Sequence, residues 1–292
     1  RSSKISEYKY IKESKELILI IKDKLYIDLK DLGQKEGVTL SAILQYVWHK
    51  VVSIYSNNIH TVVGTTVSGR NLPIDNIENS VGLYINTLPL IVDHSDQEQS
   101  VIGLIKRIQA EINEINSRSE ISLAKLQNSV VQQGGRLFDS LFVYENYPNP
   151  TNEDNQSVLK VKFKKAIEKL DYPLSIISYE ANNQLIFGIT YAGELFATEI
   201  IESVLTISEK LLEQITNNPN QPIVQLSYLP TPVYQQVITE WNDTDREYPD
   251  NKTIHELFEE QVERTPESIA IIYEDIKLTY RELNNRANQL AN

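Results

Sequence analysis

Four histidines, His49, His60, His94 and His255, are the side chains best suited to moving a proton or holding a metal near neutral pH. They lie far apart in the sequence and form no metal-ligand set. His49 and His255 fall on the polar sides of helical patterns and His94 in a turn, the usual settings of surface histidines. Ser68-Gly69-Arg70 offers a hydroxyl with no evident base, and Ser-Gly after a strand marks a turn. Arg70 can pair with a carboxylate such as Asp75 or Glu78, or line an entrance for an anionic group. Asp139 and Glu145 share one face of a strand six residues apart, too distant to work as a paired acid and base. Lys160, Lys162, Lys164 and Lys165 read as a solvated strand edge that discourages aggregation, with a dock for an acidic partner as the alternative. The oddest feature is Asn86-Thr87 within "SVGLYINTLPLIVD", between Leu83, Ile85, Leu88, Leu90 and Val92. A buried amide must be satisfied, so Asn86 either has structural partners or faces a cavity where something polar arrives. There is no nucleophile elbow, phosphate-binding loop or dinucleotide fingerprint.

Segments of helical and strand period alternate around these residues without a fixed repeat, which predicts helices and strands packed in layers. Pattern alone leaves α/β and α+β both open. An alternating stretch runs through "LILIIKDKLYIDL". Next, Leu40, Leu44, Val47, Trp48 and Val51 make one helix face with Thr39 as N-cap. "IHTVVGTTVSGR" predicts a strand, and a second strand runs from Gly82 to Val92. Val101, Leu104, Ile105, Ile108, Ile112 and Ile115 form the clearest apolar stripe in the chain. "LFDSLFVYENYP" is a strand that stops at Pro148, "NPTNEDNQS" a polar loop, and "VLKVKFKK" a strand with one wet face. "YPLSIISYEANNQLIFGITYAG" predicts a hairpin, and a helix follows from Thr198 to Thr216.

The 292 residues with 41% hydrophobic content suffice for one large domain or two ordinary ones. No apolar run approaches a bilayer span and no secretory leader is evident, so no membrane role and a cytoplasmic setting are expected. With no cysteine, disulfides and thiolate chemistry are excluded, and with no methionine either the sequence reads as an internal piece of something longer. A net charge of −12 argues against a nucleic-acid binder. From Leu229 to Asn292 there are 13 acidic and 6 basic residues, net −7, against 27 and 22, net −5, before it. A boundary is expected there. Residues 229–251 read as a linker with Trp241 as a docking anchor. Beyond it, capping boxes at Thr253/Glu256 and Thr279/Glu282 lead two helices around a strand pair turning at Glu274-Asp275.

The order of these segments carries a resemblance. "VVGTTVSGRNLPIDNIENSVGLYINTLPLIV", "EISLAKLQ", "LFDSLFVYENYP", then "EWNDTDREYPDNKTIHELFEEQVERTPESIAI" and "LTYRELN", resemble a nonribosomal peptide synthetase. The resemblance is to the C-terminal half of a condensation domain (1–228), the linker to the next domain (229–251) and the truncated start of an adenylation domain (252–292). It implies the C-terminal lobe of a chloramphenicol acetyltransferase-like fold, in which two lobes enclose a tunnel. Donor and acceptor thioesters arrive there on the 4'-phosphopantetheine arms of upstream and downstream carrier domains, and the acceptor amine attacks the donor carbonyl.

The resemblance places the reaction's key histidine in an HHxxxDG motif, which this sequence does not contain, so the chain by itself is expected to be inactive and to need an N-terminal lobe. ATP and Mg are implied only for a complete adenylation domain and not for residues 252–292. "VGLYINT" matches the family's strand motif bordering the tunnel, making Asn86 and Thr87 tunnel-lining candidates; Arg70, Tyr144, Glu145 and Asn146 match features of the same lobe. An epimerisation-type relative and a non-catalytic carrier-docking scaffold are the alternatives.

Overall fold

The computed structural model describes residues 11–70, 74–130, 135–145, 171–229 and 231–291. The expectations for Asn146, for a stop at Pro148, for the loop 149–157 and for the lysine-bearing strand 158–165 lie outside these residues. The chain divides into two compact units, Arg1–Tyr234 and Gln235–Asn292.

The first unit is built on a six-stranded mixed sheet. Its strands are β1 (Ser14–Ile21), β2 (His60–Val67), β3 (Asn86–Asp93), β4 (Ser140–Glu145), β5 (Leu174–Ala181) and β6 (Gln184–Ala192), in the spatial order β1-β6-β5-β4-β2-β3. Only the β2–β4 and β4–β5 pairs are parallel. The β5–β6 hairpin forms as expected, and its turn works without glycine because Asn182 and Asn183 take φ of 51° and 58°, which asparagine tolerates better than other side chains.

Four helices cover one face of this sheet: α1 (Asp23–Glu36), α2 (Leu40–Ser56), α3 (Val101–Ser117) and α5 (Thr198–Asn217), with the short α4 (Leu123–Val130) and α6 (Thr231–Gln235) beside them in sequence. The core joins Ile21, Val63, Leu90, Phe142, Ile176 and Phe187 of the strands to the buried stripes of these helices. Val101, Leu104, Ile105, Ile108 and Ile112 are all buried, as the periodicity of α3 predicts. The opposite face leaves Ile18, Ile20 and Ile91 exposed.

Two departures from the sequence reading have physical causes. The stretch "LILIIKDKLYIDL" is the end of β1 plus α1, whose spacing of Tyr26, Leu29, Leu32 and Gly33 is helical and whose end is set by Gly37 at φ 69°. The strand expected from Gly82 begins only at Asn86, because residues 80–85 belong to a pinned connection that leaves Leu83 exposed.

The second unit holds α7 (Ile254–Arg264), β7 (Ile269–Tyr273), β8 (Ile276–Thr279) and α8 (Tyr280–Ala291). Both capping boxes are present: the Thr253 and Thr279 backbone N–H groups donate to Glu256 and Glu282 at 2.7 and 2.9 Å. Glu274 turns the strand pair at φ 51°. Neither helix buries a side chain among the described residues, so its apolar members Ile254 and Leu290 stand exposed. Trp241, expected as a docking anchor, is 67% exposed. The stretch expected as plain linker carries a π-type turn over residues 236–240 directly after α6.

Candidate functional site

The tunnel-lining candidates Arg70, Asn86, Thr87, Tyr144 and Glu145 lie at one end of the sheet, where β2, β4 and β5 finish and β3 begins. Val67 pairs with Asn86, and β4 runs parallel to both β2 and β5 with Gly64 opposite Leu141 and Glu145 opposite Tyr179. Strand parity then separates them. Tyr144 follows Phe142 on the helix-covered face and Asn86 precedes Leu88 and Leu90 there, whereas Thr87 and Glu145 fall on the other face. The five candidates therefore do not line one wall.

Asn86 has structural partners. Its Nδ2 donates to the Ser119 and Ile121 carbonyls at 2.8 and 2.7 Å, and its Oδ1 accepts from the Thr87 N–H at 2.8 Å. The amide thus fixes the turn after α3 to the start of β3. Of the two readings open in the sequence, the hydrogen-bonded one describes this side chain.

Arg70 is likewise engaged within its own connection. Its Nη1 donates to the carbonyls of Ile77 and Ser80 at 2.7 and 3.0 Å, and its guanidinium lies 4.8 Å from the Tyr84 ring centroid. The suggested partner Glu78 has a side chain outside the described residues. Within this connection Ser80 Oγ donates to the Ile77 carbonyl at 2.8 Å and lies 2.7 Å from the Tyr84 hydroxyl, which can donate to it. Gly69 is required here twice over: φ is 64°, and a Cβ would sit 2.0 Å from the Tyr84 carbonyl oxygen. Gly69 and Arg70 are consequently fastened to the described residues 74–86.

Tyr144 belongs to a network that sequence reasoning missed. The hydroxyls of Tyr26 and Tyr144 donate to the two oxygens of Glu180 at 2.6 and 3.1 Å, and Lys30 Nζ stands 3.4 Å from the same carboxylate. Burial pushes the Glu180 carboxyl up, but the two phenols and the ammonium outweigh it and hold the group below the usual range. Burial, then Glu180, raises both phenols. Bonding to the Tyr26 hydroxyl, then the charge of Glu180, raises the Lys30 ammonium. Every member is moved away from neutrality, so the cluster suits positioning and not proton transfer. It borders a cleft of about 360 Å³ that also meets Gln34, Thr39 and Ser41 at the α1–α2 junction.

The histidine expectations need correction for two residues. His49 and His94 are 0% and 1% exposed, and both meet the Thr61 hydroxyl, at 2.7 Å from His49 Nδ1 and 3.1 Å from His94 Nε2. The physical reason is that α2 is buried along nearly its whole length, so its polar residues face the sheet and not water. Gln45 Nε2 donates to Thr65 Oγ1 at 3.1 Å and Trp48 Nε1 to Ser140 Oγ at 3.2 Å, which with His49 makes three hydrogen bonds from α2 onto β2 and β4. Burial, then the other imidazole, lowers His49 to about 3. Burial, then the Lys50 charge, lowers His94 to about 4. Both are neutral at physiological pH. His60 is exposed and 3.5 Å from Asp93; His255 is exposed beside Thr253. Among the described residues no group of three His, Cys, Asp or Glu side chains is arranged to hold a metal ion, and no helix is long and apolar enough to cross a membrane.

Residues 3–238 match the family described as Condensation domain. N-(5-amino-5-carboxypentanoyl)-L-cysteinyl-D-valine synthase of Amycolatopsis lactamdurans is 44% identical over 261 residues, which are 88% of this chain and 7% of that protein. Its counterpart in Penicillium chrysogenum is 40% identical over 98% of the chain and 8% of its own length. Bacitracin synthase 3 of Bacillus licheniformis is 32% identical over 96% of the chain and 4% of its own length. The chain thus spans less than a tenth of the curated relatives it matches. Among solved structures, the nonribosomal peptide synthetase FmoA3 in its AMPPNP-bound form superposes with a TM-score of 0.72 at 16% identity, covering 97% of this chain and 31% of that one. The four-domain nonribosomal peptide synthetase AB3403 gives 0.68 at 16%, covering 96% and 22%. At these identities the likeness is one of fold.

Proposed function

The chain belongs to the condensation-domain family, and from that premise we propose that it is the C-terminal lobe of an amide-forming acyltransferase in a nonribosomal peptide synthetase. The reaction joins two carrier-bound thioesters: the acceptor's amine nitrogen bonds to the donor's acyl carbon, the donor's C–S bond breaks, and a base relays the amine proton to the departing thiolate. This sequence has no HHxxxDG motif to supply that base, so the lobe's contribution is positioning and the exclusion of water.

One observation supports that role: Arg70 is bonded to the carbonyls of Ile77 and Ser80, and Asn86, at the end of the family's strand motif, to those of Ser119 and Ile121. A wall built this way keeps its shape when a substrate arm passes. Thr87 and Glu145, on the uncovered sheet face, are the candidates for meeting the opposite lobe. Asn86 and Tyr144 act behind the wall as positioning residues. The 4'-phosphopantetheine arm comes with the carriers and supplies the reactive thioester. This chain's fit to its phosphate is not evident at Arg70, whose guanidinium is already bonded to two carbonyls and stacked on Tyr84.

For residues 252–292 we propose the beginning of an adenylation domain, supported by the Penicillium relative, whose match extends over 98% of the chain. The exposed apolar side chains Ile254, Ile272 and Leu290 would then pack against the remainder of that domain, and ATP and Mg would bind only the completed one. A cytoplasmic setting goes with this reading.

The test joins an upstream HHxxxDG-containing lobe to this chain and supplies two carriers loaded with different aminoacyl groups. Mass spectrometry of the acceptor carrier is expected to show the dipeptidyl thioester for the joined protein and not for this chain alone. No product from the joined protein would sink the catalytic reading. Product from the chain alone would sink the assignment as a lobe.

A further inference from the structure

At the other end of the sheet, where β2, β4 and β5 begin, the first unit encloses a cavity of about 620 Å³. It opens between the C-terminal half of α2 and the N-terminal half of α5, and its walls are mainly apolar, from Val51, Tyr55, Leu174, Phe196, Ile200 and Val204. That size lies within the range of small-molecule sites. It is remote from Arg70, Asn86 and Tyr144, since His60 and Ser140 open the strands that Val67 and Glu145 close.

Most polar groups on its wall are accounted for. Ser140 Oγ accepts from Trp48, Thr61 Oγ1 meets the two buried imidazoles, and His60 faces Asp93. Asp139 is the exception. One of its carboxylate oxygens is completely buried and accepts no hydrogen bond, and the side chain makes no ion pair among the described residues. Burial pushes this carboxyl up, and the nearby charge of Arg136 offsets only part of the shift. Arg136 does not pair with it; its guanidinium lies 5.9 Å from the Tyr172 ring centroid, beside a separate small cavity. A half-buried carboxylate with one buried, unbonded oxygen costs stability, and an asparagine would fit the same space without a charge to desolvate.

We infer that this cavity is a binding site for a hydrophobic primary amine, with the ammonium on Asp139 and the alkyl or aryl body between α2 and α5. The apolar wall selects the body and the lone anion selects the charge. Asp139 lines the cavity although its Oδ1 is closed off, so an ammonium would meet the accessible part of the carboxylate and bring it a counter-charge and donors.

The test uses the whole chain and three probes of one shape: 4-phenylbutylammonium, 4-phenylbutanol and 4-phenylbutanoate, titrated by calorimetry and by the shift in Tm. The ammonium is expected to bind saturably, at least about tenfold more tightly than the alcohol, and the carboxylate not at all, because a charge-assisted hydrogen bond is worth roughly that ratio or more. Asp139→Asn is expected to fold with unchanged or raised Tm and to bind the ammonium no better than the alcohol. Val204→Trp, which fills the cavity from α5, is expected to lose both. Equal binding of alcohol and ammonium, undiminished ammonium binding by Asp139→Asn, or no saturable binding of any probe at millimolar concentration would each overturn the inference.

Discussion

Acidification tests the buried pair His49 and His94 directly. In the unfolded chain each imidazole takes up its proton near pH 6.5, whereas in the folded chain burial holds them at about 3 and about 4. Between those limits the unfolded state binds more protons, so stability rises with pH and is lost as pH falls below about 6.5. From pH 7.0 to 5.5 each histidine weakens folding by roughly 1.2 kcal/mol, and the pair by about 2.5 kcal/mol. For a unit of this size that lowers Tm by roughly 5–10 °C. Trp48 reports on the first unit alone if Trp241, 67% exposed in the second, is replaced by Phe. Urea melts of the W241F chain followed by Trp emission at the two pH values give the difference. In His94→Gln, whose amide can still reach Thr61, the loss is expected to halve. A pH-independent stability across this interval, or an undiminished loss in His94→Gln, would refute the account of two imidazoles held neutral by burial.

Three further outcomes are expected. Asn86→Ala removes two donors from the Ser119 and Ile121 carbonyls and should cost about 1–3 kcal/mol in a urea melt, with turnover in the joined two-lobe domain falling further than the folded fraction does; turnover per folded molecule equal to wild type would assign Asn86 to stability alone. Gly69→Ala meets the Tyr84 carbonyl at 2.0 Å with φ at 64°, so proteolysis within residues 74–86 should become faster, and unchanged protection would mean that Gly69 does not hold them in place. Thr253→Ala removes one half of a capping box and should cost the second unit about 1 kcal/mol, read as lost helical circular dichroism on heating, with no change in the Trp48 signal.

Much of the scaffold could be read from the sequence, because its signals were local. The apolar stripe of α3, the N-cap at Thr39 with its oxygen 3.2 Å from the Ala42 N–H, the Asn-Asn hairpin and both capping boxes depend on residues within a few positions of one another. What escaped is long-range. Tyr26 and Tyr144 meet Glu180 from 154 and 36 residues away, and no periodicity announces that three elements will bring those side chains to one point. The same holds for α2. An apolar face was visible, but the helix is apolar enough to be buried almost all round, and only the pairing of Gln45, Trp48 and His49 with hydroxyls on β2 and β4 makes that burial tolerable. A signal was present in "AILQYVWHKVV", where Gln45 and His49 sit four apart with apolar neighbours on either side, and in Thr61 and Thr65, four apart on one strand face.

The same logic separates Asn86 from Asp139. Asn86 interrupts a strand and looks from sequence like a group awaiting a ligand, yet both its donors are satisfied by carbonyls of the turn after α3. Asp139, which the sequence placed with Glu145 on a strand face, stands one residue before β4, and its buried oxygen has no hydrogen-bond partner among the described residues. Satisfaction is a property of the partners, which the fold supplies, and not of the residue. An amide that is fully bonded fixes a turn to a strand, whereas a half-buried carboxylate with an unbonded oxygen carries a cost that a counter-charge would offset. The sheet therefore has one end fastened by Arg70 and Asn86, and another where Asp139→Asn should stabilise the protein and abolish the proposed preference for amines.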